Sequence, residues 1–242
     1  MMNLDVLNNF LEETPLLDIH NVSIFVLNET HGWKKHPPKK RTEEIYYFVQ
    51  NSIAYAFPNA PFLPASEILS LGYGMSVSKA ILLMALLRSV HIPCRFHGFL
   101  IKKDVLRDIP DSATYKKIPP LIVHGWTEVF LNDQWIILEG VTLPITLVEM
   151  QRKKIHQETG EFNGLGLGVH ELNHLIYRWN GHHTFIQRNA ILRDYSVFDS
   201  PDHFSMAFGN ELKDIRTYYP PKKILKKLNK YLFSLQGMLP ST

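Results

Sequence analysis

Ser76-Val77-Ser78-Lys79-Ala80-Ile81-Leu82-Leu83-Met84-Ala85-Leu86-Leu87-Arg88-Ser89-Val90 decides the fold. The stretch favours helix and is apolar around nearly its whole circumference, which predicts a buried central helix rather than a surface one. Ile92-Pro93 stops it, because the residue before a proline is pushed out of the helical region. Just before it, Gly72-Tyr73-Gly74-Met75 is a tight glycine turn running straight into the helix start. The first N–H groups of a helix lack intrahelical partners, and the helix dipole makes that end positive. Ser76 therefore sits where a nucleophile and an oxyanion site would be built. Without such chemistry Ser76 is simply an N-cap, a role serine favours.

Working outward, Cys94 to Ile101 reads as a strand. Leu121–Leu131 and Gln134–Glu139 read as two more around Asn132-Asp133, a two-residue hairpin signal. Upstream, Thr42-Glu43-Glu44 opens a helix with Ile45, Phe48, Val49 and Ile53 at helical spacing, which Pro58 and Pro61 end. His20 to Leu27 reads as a strand or extended connection. Lys34 to Arg41, with Pro37 and Pro38 inside it, reads as a solvated basic loop. Asn3 would cap a short helix bearing Leu4, Leu7 and Leu11. Gly160 to Gly168 lacks the Lys and Ser/Thr of a phosphate loop and reads as a flexible loop or lid. Lys222 to Leu235 forms a helix with Ile224, Leu228, Tyr231, Leu232 and Leu235 on one stripe and its lysines mostly turned away. Helices followed by an antiparallel sheet make the class α+β.

The 242 residues carry 26 basic and 23 acidic side chains, a net charge of +3, with 45% apolar content. That composition excludes disordered, collagen-like and coiled-coil chains. The longest apolar runs fall short of a membrane span, and the first residues lack a basic-then-apolar leader. One cysteine, Cys94, excludes an internal disulfide and a cysteine-based zinc cluster. The expected location is cytoplasmic, and nucleic acid is not an expected partner, since so mild a charge permits anionic partners without arguing for one.

The hairpin has a chemical consequence. With Asn132-Asp133 as its loop, Leu131 faces Gln134, Glu139 faces Trp126 and His124 faces Val141. His124 and Glu139 then share a face as diagonal neighbours, about 7–8 Å apart at the backbone. That suits a carboxylate orienting an imidazole, and a single bulge would undo it. His182-His183 with Asp199 or Asp202 fits no standard zinc pattern, and His170 and His174 lack the acid of an H-E-x-x-H helix. Neither metal nor cofactor is expected. Trp33 or a residue of the 70–75 turn is a candidate oxyanion donor beside the Ser76 N–H. Trp126 and Trp135 read as sheet packing and cleft wall.

Gly74 to Arg95 resembles the core motif of the transglutaminase-like superfamily: a glycine, a nucleophilic cysteine, a long apolar helix, Leu-Arg, a turn and Ile-Pro-x-Arg. His124-Gly125-Trp126-Thr127-Glu128-Val129 is similar to its His-x-Trp-x-Glu-Val strand, and Trp135 to Glu139 to the strand bearing its acid. Ile45 to Tyr55 resembles the helix preceding that core. Trp179-Asn180-Gly181, Thr184-Phe185-Ile186-Gln187 and Phe198 to Asp202 are similar to the tail of a small bacterial branch of the superfamily. The resemblance implies a papain-like fold, with the nucleophile on the helix and the His and acid on adjacent strands. It implies an N-terminal extension over 1–41, a core over 42–143, and a C-terminal extension over 144–242 packed on it.

The implied catalytic residues are Ser76, His124 and Glu139, and the implied reaction is acyl transfer or hydrolysis at an amide, ester or thioester carbonyl of a peptide, protein or small acyl substrate. One departure stands out: the nucleophile position holds Ser76. A thiol ionises readily, whereas a hydroxyl needs concerted help from a base. Cys94 falls in the variable slot of Ile-Pro-x-Arg and reads as a small core residue. Ser76 then marks a cysteine enzyme disabled by substitution, a natural serine enzyme, or a silent module that binds a peptide or acylated partner.

Overall fold

The computed structural model describes residues 4–155, 160–172, 175–212 and 215–238. Its helices and strands run α1 (Leu4–Asn9), α2 (Val22–His31), α3 (Pro38–Ser52), β1 (Ala54–Tyr55), α4 (Ala65–Leu71), β2 (Tyr73–Gly74), α5 (Ser76–Ser89) and β3 (Cys94–Lys102). They continue as α6 (Ser112–Tyr115), β4 (Leu121–Leu131), β5 (Gln134–Ile137), α7 (Ile145–Lys154), β6 (Phe162–Gly164), β7 (Leu167–Val169), β8 (Ile191–Phe198), α8 (Pro201–Leu212) and α9 (Lys222–Leu235).

Every residue of α5 from Ser76 to Arg88 is buried, as its all-round apolar surface demands. Helices α2, α3 and α4 and strands β3 and β4 pack on it. Each fully buried Leu or Ile there contributes roughly 1.5–3 kcal/mol of transfer free energy. Its last turn buries Arg88, whose guanidinium donates to the carbonyls of Glu12 (2.6 Å), Cys94 (2.9 Å) and Asp199. One cation thus joins the N-terminal segment, the start of β3 and the turn before α8 to one end of the central helix.

The main sheet runs β5-β4-β3-β8, and all its pairings are antiparallel. Leu131 pairs with Gln134 across Asn132-Asp133, whose φ of 51° and 60° supply the left-handed turn that the hairpin twist requires. Thr127 Oγ1 donates to Ala80 O at 3.1 Å, so the face holding Thr127, Gly125 and Val123 meets α5. The opposite face carries His124, Trp126 and Glu128 against Phe99, His97 and Arg95. Gly98 and Gly125 are partners across β3 and β4, and aromatic rings lie where their side chains would be. A Cβ on Gly125 would fall 2.2 Å from Phe96 Cζ, and one on Gly98 2.3 Å from Phe204 Cε2.

Several elements depart from the sequence pattern. Val22–His31 is a helix, not a strand, with Asn21 capping it by accepting from Ser23 N at 3.0 Å. The pattern missed it because Val22, Phe25 and Val26 point outward and leave no buried stripe. The basic stretch is no loop throughout: Pro38 takes the first position of α3, where a proline needs no N–H, so Lys39-Lys40-Arg41 lie in its first turn. The same helix ends at Ser52, well before Pro58. Gly160 to Gly168 includes the hairpin β6–β7, turned by Leu165 and Gly166 at φ 53° and 88°. The α1 cap assigned to Asn3 lies outside the described residues.

Helix α9 buries Ile224, Leu225, Leu228 and Leu232 and exposes Lys222, Lys223, Lys226, Lys227 and Lys230. It also holds the extended segment around β1 by side-chain amides acting as a strand would. Asn229 pairs with both backbone groups of Phe57 (2.8 and 2.8 Å), and Gln236 with both of Tyr55 (2.8 and 2.9 Å).

A charged cluster fastens edge strand β8 to the sheet. His97 Nδ1 meets Glu128 Oε1 and His97 Nε2 meets Asp194 Oδ1, both at 2.8 Å, while Arg95 binds Glu128 Oε2 at 2.7 Å. Burial pulls the His97 imidazole down, but its bonds to Glu128 and Asp194 outweigh that and leave it raised. Burial pushes the Glu128 carboxyl up, and the bonds from His97 and Arg95 bring it below the usual value. Glu128 stabilises fully above the unfolded value of 4.5 and loses this as pH falls through its folded pKa. His97 stabilises fully below the unfolded value of 6.5 and loses this as pH rises through its folded pKa. The cluster's contribution therefore peaks between these two values. Urea midpoints measured from pH 3 to 9 should show that maximum, and His97→Gln should flatten the alkaline limb; an unchanged alkaline limb would refute the assignment. Separately, Gly125→Ala should keep the fold and cost about 1–3 kcal/mol in urea unfolding, because the Phe96 ring must move.

Candidate active site

Ser76 is the first residue of α5, and Met75 holds the N-cap position. The reading of Ser76 as a cap is therefore not what the structure shows. Gly72, at φ 69°, closes α4 in the left-handed region that favours glycine, and the chain then runs through β2 into α5. A small cavity at that end is bounded by Ser76, Tyr55, Phe57, Val123, Gln187 and Tyr219. Its volume is about 10 Å³, room for one water molecule.

His124 and Glu139 come together, though not by the route the hairpin parity predicts. The ladder holds from Leu131↔Gln134 to Glu128↔Ile137, and Leu138 N still donates to Thr127 O at 2.9 Å. The chain then leaves the sheet, and Glu139 opens a 3-10 turn over Glu139–Thr142. Glu139 is therefore not the strand partner of Trp126, nor Val141 that of His124. The diversion has a visible cause. Thr184 N takes Ile137 O at 2.9 Å, Thr184 Oγ1 accepts from Gly140 N at 2.9 Å, and Gly140 passes so close to Tyr46 Oη that a Cβ would lie 2.4 Å from it.

The turn delivers the Glu139 carboxylate into the core, fully buried, with Oε1 at 3.3 Å from His124 Nε2. Two backbone donors hold that carboxylate: Ile186 N at 2.9 Å to Oε2 and Gln187 N at 3.0 Å to Oε1. N–H groups aimed at a carboxylate replace the hydration that burial removes. Neither nitrogen of the His124 ring makes a hydrogen bond of good geometry, and both are buried. The ring is flanked by Phe99 and Trp126. The structure thus joins His124 to Glu139 and leaves Ser76 without a hydrogen bond to either. Gln187 touches both, lining the Ser76 cavity while its backbone N–H donates to Glu139.

The other sequence candidates lie apart. Trp33 is buried between His31 and Phe48 and does not line the Ser76 cavity. Cys94 is buried with its thiol pushed up to about 11 by desolvation, inert beside Met84 O. Trp126 is buried in the sheet, and Trp135 packs against Phe10 and Phe130 under Arg95. His183 Nδ1 accepts from Ile137 N at 3.0 Å, Asp199 gives its carbonyl to Arg88, and Asp202 binds Thr14 and Leu16 N. His174 lies outside the described residues, and among those described no three His, Cys, Asp or Glu side chains are grouped to hold a metal ion. What the sequence missed is the clamp on Glu139. Backbone donors leave no residue-type signature, and the one hint was the Thr184 to Gln187 block of the resemblance.

No curated protein matches this sequence. Among solved structures, one from Cytophaga hutchinsonii, named provisionally as a cysteine protease, superposes with a TM-score of 0.48 at 13% identity. It aligns with 83% of this chain, which spans 49% of that one. Residues 27–140, which hold Ser76, His124 and Glu139, match the transglutaminase-like superfamily. Over that segment, a little under half of its length, the chain is similar to the transglutaminase-like superfamily.

Proposed function

We propose that the chain is built for acyl transfer or hydrolysis at an amide, ester or thioester carbonyl, with residue 76 as nucleophile, His124 as base and Glu139 as its orienting acid. The observation that carries this reading is the buried His124–Glu139 pair. Burying a carboxylate against an imidazole is costly, and apolar residues of similar volume would stabilise a core at least as well. A fixed carboxylate on Nε2 leaves Nδ1 as the nitrogen to accept a proton from the nucleophile and return it to the leaving group. The unpaired N–H groups at the start of α5 would face the oxyanion that forms as residue 76 attacks. Water as acceptor gives hydrolysis, and an amine gives transfer.

Ser76 itself supports a second reading, a silent module that grips a peptide or acylated partner. Its cavity has room for only about one water molecule, and its hydroxyl does not engage the imidazole. Thiol chemistry separates the two. In the Ser76→Cys chain, the thiol should be alkylated by iodoacetamide roughly 10-fold or more faster at pH 7 than a free thiol of pKa about 8.5, and His124→Ala should abolish the excess. A thiol of ordinary reactivity would defeat the enzymatic reading. Turnover of an ester panel by the unaltered chain, lost in His124→Ala, would identify a working serine nucleophile.

A further inference from the structure

Lys79 lies one helical turn after Ser76 and is completely buried. Lysine is almost never fully buried, because its long stem normally lets the amine reach water. Here the stem runs back along α5 past Gly74, where a Cβ would sit 3.4 Å from Lys79 Cγ. Its Nζ donates to two backbone carbonyls, Gln50 O at 3.1 Å and Val141 O at 3.3 Å. No carboxylate pairs with it among the described residues. Desolvation holds its pKa well below the ordinary lysine range and so favours the neutral amine. A neutral amine has two N–H groups, one for each of the two acceptors.

The acceptors are informative. Val141 belongs to the 3-10 turn that Glu139 opens, and Gln50 lies in the last turn of α3. Gln50 in turn donates its Nε2 to Gly140 O at 2.8 Å. The two carbonyls that follow Glu139 are thus held by Gln50 and Lys79, one from α3 and one from the helix of the nucleophile. The turn needs such support, because β5 has ended at Ile137 and no sheet ladder fixes it. The Glu139–His124 contact of 3.3 Å is longer than the 2.7–2.9 Å of a tight charge-assisted bond, so small displacements of the turn matter.

We propose that Lys79 is a positioning residue: its amine ties the acid-bearing turn and the end of α3 to the first turns of the Ser76 helix, and so sets Glu139 against His124. The proposal rests on the triad reading above.

A double-mutant cycle in the full-length Ser76→Cys chain tests it, with iodoacetamide alkylation followed against pH. Lys79→Met keeps the volume and removes both donors. It should lower the alkylation rate at pH 7 by about 10–100-fold, the scale on which misplacement acts, and move the apparent thiol pKa up toward the free value of about 8.5. Adding Glu139→Gln to Lys79→Met should slow the reaction hardly more than Glu139→Gln alone. A purely structural lysine would lower the melting temperature and leave the rate and thiol pKa of the folded protein in place. That result, or two variants whose effects multiply, overturns the proposal. If Lys79→Met does not fold by circular dichroism, Lys79→Gln enters the same cycle and is read by the same coupling. A parent Ser76→Cys thiol of ordinary reactivity removes the triad reading and this proposal with it, whereas a fast parent with uncoupled variants removes this proposal alone.

Discussion

A helix buried on every side meets polar groups chiefly at its ends, and α5 organises the molecule by that constraint. Its flanks are closed by α2, α3, α4 and the sheet, so its terminal N–H and C=O groups are the places left for polar chemistry. At the C-terminal end the answer is structural. Arg88 donates to three carbonyls from three separate segments. At the N-terminal end the N-cap residue, Met75, makes no side-chain capping bond, and Ser76 stands in the first position beside a cavity with room for about one water molecule. The asymmetry separates an end that fastens the chain from the end at which the proposed chemistry would occur.

Glu139 reaches the neighbourhood of α5 by an irregular path. A regular hairpin would have kept Glu139 in the sheet, where its position would follow from the ladder. Instead Thr184 intercepts the ladder at Ile137, and the chain turns inward. The carboxylate then depends on contacts from distant segments: Ile186 and Gln187 for its oxygens, Gln50 and Lys79 for the carbonyls behind it. A buried charge tolerates this only because each neighbour supplies a donor. The C-terminal third earns its place in the same way, since it contributes the 184–187 clamp and, through Asn229 and Gln236, holds the Tyr55–Phe57 wall of the cavity.

Legibility in the sequence follows from how local each signal is. The central helix, strands β3 and β4, the Asn132-Asp133 hairpin and α9 were all readable, because their burial repeats with the period of their own element. Helix α2 was not, since its apolar side chains face outward and its burial falls on Ile24 and Asn28. The identities of Ser76, His124 and Glu139 came from ordered motifs, and the face shared by His124 and Trp126 came from strand parity. The juxtaposition of His124 with Glu139 was anticipated for an incomplete reason. Parity put both on one face, but a 3-10 turn and a long-range clamp put them within 3.3 Å. Backbone donors such as Ile186 N carry no residue-type signature, so sequence reasoning had nothing to detect.

Ser76 stands where the proposed mechanism places its nucleophile. A serine at the first position of α5 costs the fold little: it is small, helix-compatible, and sits beside donors that tolerate a hydroxyl. The expensive elements are elsewhere, in a buried carboxylate, a buried imidazole whose Nδ1 has no hydrogen-bond partner among the described residues, and a fully buried lysine. A chain that retained only the fold would gain stability by replacing such groups with apolar side chains. Under the proposed reading their joint presence near the start of α5 fits a framework for proton transfer at residue 76, whose identity would set the reactivity of the site without altering its construction.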